Sequence, residues 1–162
     1  MFPNNIRNLR DLENAMKTIN ANIWYSRHSG YHIEQNNAVI QRYDGWECIV
    51  DSQGRLGWQG TIKGRYEVVI WTDESFPYHP PKAFLLSPKI RAQHFFEGGY
   101  MCVMESADWK PHFSIATFIG MTCATFDRYE NHAAHCRKGP NGQPCLEHGC
   151  KFWTTATREH TR

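Results

Sequence analysis

The sequence predicts an α+β domain. Three observations point there: an amphipathic helical pattern near the start, a succession of short β-branched and aromatic stretches broken by Gly signals, and a second helical pattern after residue 114. In the first pattern Leu9, Leu12, Met16, Ile19 and Ile23 follow at steps of three and four, which lines them along one side of a helix over residues 6–22. After a break at Gly30 the strand-like stretches are 38–43, 46–51, 61–72 and 82–86. Asp44-Gly45 and Gln53-Gly54 are two-residue hairpin signals, so this region reads as a four-stranded antiparallel meander. Residues 76–81 (FPYHPP) lack an N–H at three of six positions and must form a rigid corner between the third and fourth strands.

From 87 to 111 no period persists, and about 25 residues is too long for an idle connection in so small a domain. Long loops held by a scaffold carry function. The second helix opens with Ser114 as N-cap, and Ile115, Phe118, Ile119, Thr122, Phe126 and Tyr129 form its core-facing stripe. From Cys136 the chain turns polar and rich in Cys and His. The expected organisation is one domain over 1–135 with a Cys/His-rich segment, 136–162, packed on it.

Composition narrows the function classes. In 162 residues, 18 Lys and Arg against 16 Asp and Glu leave a formal charge of +2, too small a field to gather nucleic acid or anionic lipid. Apolar residues reach only 41%, but 6 Trp, 7 Tyr and 9 Phe supply large buried faces. No apolar run approaches the ~18 residues that span a bilayer, and the N-terminus carries no apolar signal core, so a soluble cytoplasmic protein is expected. The six cysteines then read as core filler, metal ligands or nucleophiles in a reducing compartment.

Cys102 stands out by its setting. Residues 98–103 (GGYMCV) put two glycines just upstream, and Glu105, Ser106 and Asp108 follow. Such a loop can present a thiol at the surface; a small buried hydrophobe is the competing reading. The landmarks around it resemble the ubiquitin-conjugating enzymes. Residues 76–82 (FPYHPPK) are similar to the family's Tyr-Pro-Phe-x-Pro-Pro-Lys block, and 99–102 (GYMC) to its Gly-x-Ile-Cys. Trp109-Lys-Pro111 followed by Ser114-Ile115 resembles its Trp-x-Pro and Thr-Ile helix start, and Trp58-Gln-Gly60 corresponds to the turn before its third strand. The resemblance covers residues 6–129.

It implies the ubiquitin-conjugating-enzyme-like fold, with Cys102 as the nucleophile that carries a protein C-terminus as a thioester and hands it to a target lysine amine. Tyr100 and Trp109 would line the substrate groove, Trp109 as a wall restricting the Cys102 segment. No cofactor is needed for this chemistry. The family's oxyanion-stabilising Asn, eight residues before the cysteine, is replaced here by His94. His94 reads either as a substitute donor or base, or as a histidine bonded to loop backbone. The family's acidic residue that helps deprotonate the lysine has no match in register; Glu105, Asp108, Asp127 and Glu130 are the candidates. Loss of the Asn resembles the bacterial branch, including the small members of short type II CBASS anti-phage operons. That likeness implies as acyl donor either a cGAS-like nucleotidyltransferase or a ubiquitin-like protein, with or without an activating enzyme. An inactive, conjugating-enzyme-like module that binds a protein partner is the alternative.

In the tail, Cys136, Cys145, His148 and Cys150 could converge on a structural zinc across a Gly-Pro-Asn-Gly turn. A disulfide among the three cysteines and unpaired thiols are the competing readings. Cys48 and Cys123 read as structural, Trp46, Trp71 and Phe84 as core, and His79 and His112 as solvent-facing.

Overall fold

The computed structural model describes residues 29–135. The helix expected over 6–22 and the whole Cys/His-rich segment lie outside the described residues. Within them the fold is α+β, with two helices and a five-stranded antiparallel sheet. Helix α1 spans Ser29–Arg42 and α2 spans Ile115–His135. The strands are β1 (Glu47–Val50), β2 (Leu56–Ile62), β3 (Tyr66–Trp71), β4 (Lys82–Ser87) and β5 (Tyr100–Met101), adjacent in chain order. The sequence reading expected four.

The first correction is at 38–43, read as a strand and folded as the C-terminal half of α1. The residues this helix buries are His32, Asn36 and Val39, at helical steps of four and three, but two of the three are polar. The apolar pattern therefore hid the period. Asn36 accepts a hydrogen bond from the Trp58 indole at 3.1 Å, which satisfies both groups inside the core. Asp44-Gly45, expected as a hairpin, follows the end of this helix; Gly45 sits at φ 82°, where a side chain would be strained.

The second correction is at 61–72, read as one strand and folded as a hairpin of β2 and β3. Lys63 and Gly64 both take positive φ (56° and 68°), and the Arg65 N–H donates to the Ile62 carbonyl at 3.1 Å. Lys-Gly is a weaker turn signal than Asn-Gly, yet it permits the same primed geometry. Trp58-Gln-Gly60 accordingly lies within β2, Trp58 and Gln59 paired to both neighbours and Gly60 to β3, and Trp58 is fully buried. Gln53-Gly54 does close the β1–β2 hairpin, where Asp51 accepts from the Gln53 and Arg55 N–H groups at 2.9 and 2.8 Å.

Val39, Trp58, Tyr66, Val68, Ile70, Ile115, Ile119 and Phe126 belong to one buried core formed by both helices and one face of the sheet. Cys48 and Trp46 are buried as expected, and Cys123 packs against the core. Trp71 and Phe84 are only half-buried, on alternate positions facing away from that core; Trp71 lies under the Arg55 guanidinium at 4.4 Å. Ser114 caps α2 by accepting the Thr117 N–H at 3.0 Å, and Gln35 of α1 accepts the Ile115 N–H at 2.8 Å, tying the two helices together. Among the described residues, no helix is long and apolar enough to cross a membrane.

Candidate active site

The long loop is ordered by its own apolar residues. Ile90, Ala92, Phe95, Phe96, Met101 and Val103 are all buried, so each end of the segment is stapled to the core. Between them the chain doubles back. Phe95 pairs with Met101 in an antiparallel bridge, the Phe96 N–H donates to the Tyr100 carbonyl at 2.8 Å, and the Cys102 N–H donates to the His94 carbonyl at 2.9 Å. That register sets His94 directly opposite Cys102 and Phe96 opposite Tyr100. Gly98 and Gly99 make the reversal at φ 83° and 91°; a side chain on Gly99 would collide with the Leu85 carbonyl of β4. The two glycines noted beside the cysteine therefore have a defined task.

Phe95 and Met101 face the core, at 2% and 1% exposure. Cys102 and His94, one position along on each arm, are half-buried and reach solvent. Tyr100 is half-buried as well, its ring packed on Phe84 at 5.6 Å and on Phe96 at 5.5 Å. Trp109 is buried: its indole donates to the Pro77 carbonyl at 2.6 Å and its ring meets Phe76, Phe113 and Phe118. It holds the segment after Cys102 against the Pro corner.

His94 adopts φ 75°, the left-handed region that costs a β-carbon residue on the order of 1 kcal/mol. Asn and His are among the few non-glycine residues enriched there, so His94 meets the backbone demand. Burial, followed by the positive charge of Arg128, lowers the His94 pKa below the ordinary imidazole value, while Glu105 works the other way. A neutral ring near pH 7 keeps one N–H to donate and one nitrogen to accept.

The Cys102 thiol is pushed above the ordinary thiol range, first by burial and then by the Glu105 carboxylate. The Glu105 charge thus acts on both Cys102 and His94. Glu105 is exposed, on the turn that leads into Ser106–Asp108. Asp127 and Glu130 are committed elsewhere, to Lys63, Arg65 and Tyr66. Of the four acidic candidates Glu105 is the one whose charge raises the Cys102 thiol, a choice the sequence offered no register to make.

Among the described residues no cluster of His, Cys, Asp or Glu could hold a metal ion. The expected ligands Cys136, Cys145, His148 and Cys150 are outside those residues. His79 and His112 are exposed, as expected. No protein-family model and no curated protein matches the chain.

Proposed function

We propose that this protein is a cysteine-dependent acyl carrier, a conjugating enzyme of the ubiquitin-conjugating-enzyme type that bears a protein C-terminus on Cys102 and passes it to a target amine. The observation that carries the reading is the backbone pairing of Cys102 with His94 across one hairpin, both side chains half-buried, with the Glu105 charge acting on both and no side-chain hydrogen bond holding any of the three among the described residues. An open thiol suits two macromolecular substrates; an enclosed pocket would exclude them. The order of strands, Pro corner, cysteine hairpin and helix supports the same fold assignment.

The chemistry balances. The Cys102 sulfur attacks the carbonyl carbon of an activated acyl donor, a new S–C bond forms, the donor's C–S bond breaks, and the Cys102 proton leaves with the expelled thiol. His94 N–H would stabilise the oxyanion in between, and its other nitrogen can take the proton. A thiol of raised pKa is a strong nucleophile once ionised, and while protonated it resists oxidation. In the second step the amine attacks the thioester carbonyl and Cys102 is released. Glu105 would hold the incoming ammonium and receive its proton. In bacterial anti-phage operons the donor would be a cGAS-like nucleotidyltransferase or a ubiquitin-like protein.

The reading is tested by incubating the full chain with a peptide thioester near pH 8, followed by intact-mass spectrometry and peptide mapping. Acylation mapped to Cys102, removed by hydroxylamine and absent from Cys102→Ala, is the expected result. Acylation spread over all cysteines without preference would contradict it. The second reading, a non-catalytic partner-binding module, draws on the raised Cys102 pKa, which burial and Glu105 both push away from thiolate. It would be favoured if Cys102→Ala retained full activity in the native pathway.

A further inference from the structure

A pocket of about 530 Å³ opens beside the cysteine hairpin, lined by the end of β4, residues 89–91 and the hairpin tip 95–99. Its apolar surface includes Leu85, Leu86, Ile90 and Phe96. Lys89 and Arg91 stand at it exposed, with no ion-pair partner among the described residues, against the single carboxylate of Glu97. Two free cations over an apolar floor call for an occupant that is both anionic and apolar. Free phosphate would leave the floor unused. A polynucleotide needs a broad positive field that a formal +2 does not supply.

The pocket borders the hairpin that carries the thiol. Phe96, part of its lining, packs on Tyr100 at 5.5 Å, and Tyr100 precedes Cys102 by two positions on the same arm of the hairpin. Two strand residues advance about 7 Å, so an extended peptide ending at Cys102 would reach the pocket some three to five residues back from its terminus. Resting on the conjugating-enzyme reading above, we propose that Lys89 and Arg91 select acyl donors whose C-terminal tail carries acidic side chains in that interval. Leu86 and Phe96 would cover the stems of those side chains, and the cations would pair with their carboxylates. The pocket then acts as a specificity determinant for the donor.

The test uses three acetylated hexapeptide thioesters that differ only at the first two positions: Glu-Glu-Leu-Ala-Gly-Gly, Gln-Gln-Leu-Ala-Gly-Gly and Lys-Lys-Leu-Ala-Gly-Gly. Their initial rates of Cys102 acylation are compared at low salt. The Glu peptide is expected to load about five- to tenfold faster than the Gln peptide and faster still than the Lys peptide, a preference that falls away in 1 M NaCl. In the double variant Lys89→Glu/Arg91→Glu, whose two sites are exposed, the order should invert. Equal rates for the three peptides, or a preference that survives the charge reversal, would overturn the donor-tail proposal while leaving Cys102 as the acyl carrier. Failure of every peptide to acylate Cys102 would overturn both.

Discussion

Two groups of ionisable side chains border helix α2, and they are built in opposite ways. In one, Glu130 accepts from the Tyr66 hydroxyl at 2.7 Å and lies 3.4 and 3.5 Å from Lys63 and Arg65, while Asp127 pairs with Lys63 at 2.6 Å. Nearly every polar group there has a partner, and the result is mechanical: the β2–β3 hairpin is fastened to α2. In the other group the Cys102 N–H donates to the His94 carbonyl, the charge of Glu105 acts on both side chains and that of Arg128 on His94, and none of the three side chains makes a hydrogen bond among the described residues. Satisfied groups stabilise a fold, whereas groups held close and left open are available to a substrate.

Phe126 joins the two. It is fully buried, stacked on Tyr66 at 4.2 Å and touching Phe95 at 5.7 Å, so one ring braces both the fastened hairpin and the cysteine hairpin. Phe126→Ala is expected to give the largest loss, about 3–5 kcal/mol of stability by denaturant titration, with acylation of Cys102 falling as the fold weakens. Retention of full stability would show that the two regions do not share this support.

Substitution at His94 should separate chemistry from stability. His94→Ala is expected to slow Cys102 acylation by on the order of 100-fold, and His94→Asn to restore most of it. His94→Gly relieves the left-handed backbone, so its stability should match or exceed wild type by up to ~1 kcal/mol while the reaction remains slow. An unaltered rate in His94→Ala would reduce the histidine to a backbone acceptor for Cys102. In the fastened group the opposite split is expected: Tyr66→Phe should cost about 1 kcal/mol and leave acylation unchanged.

The smallest effect concerns pH. The carboxylate of Glu105 opposes the thiolate, so Glu105→Gln should lower the Cys102 pKa and move the pH–rate profile for alkylation by iodoacetamide to lower pH, by under about one unit. An upward shift would contradict the placement of Glu105. For stability both groups act in the same direction, each weakening the fold as pH falls, but in different pH windows. Glu130, held below the ordinary carboxylate range chiefly by Tyr66, contributes stability above the unfolded carboxylate pKa that is lost as pH falls through its folded value. His94, whose folded pKa is depressed, weakens the fold as pH drops below the unfolded imidazole value.

What the sequence revealed follows from how local each determinant is. Helix α2 was legible because Ser114 and the stripe Ile115, Phe118, Ile119, Thr122 and Phe126 are set by neighbours three and four positions away. The Gln53-Gly54 hairpin was legible for the same reason. Helix α1 was not, since its buried His32 and Asn36 interrupt the apolar period and Asn36 bonds to Trp58, 22 residues on. In the candidate site, Cys102 and the offset of His94 could be found by motif. The choice of Glu105 over Asp127 and Glu130 depends on which carboxylates the β2–β3 hairpin engages, and β5 on a pairing of two residues with β4, neither of which is written locally.

The most direct test of Cys102 as an acyl carrier is intact-mass spectrometry of the protein purified with its genomic neighbours under thioester-preserving conditions. A protein-sized adduct on Cys102 that is released by excess thiol, absent from Cys102→Ala and trapped as a thiol-resistant oxyester by Cys102→Ser is the expected result. A wild-type protein free of any adduct, together with a Cys102→Ser variant that traps none in the presence of its donor, would contradict it.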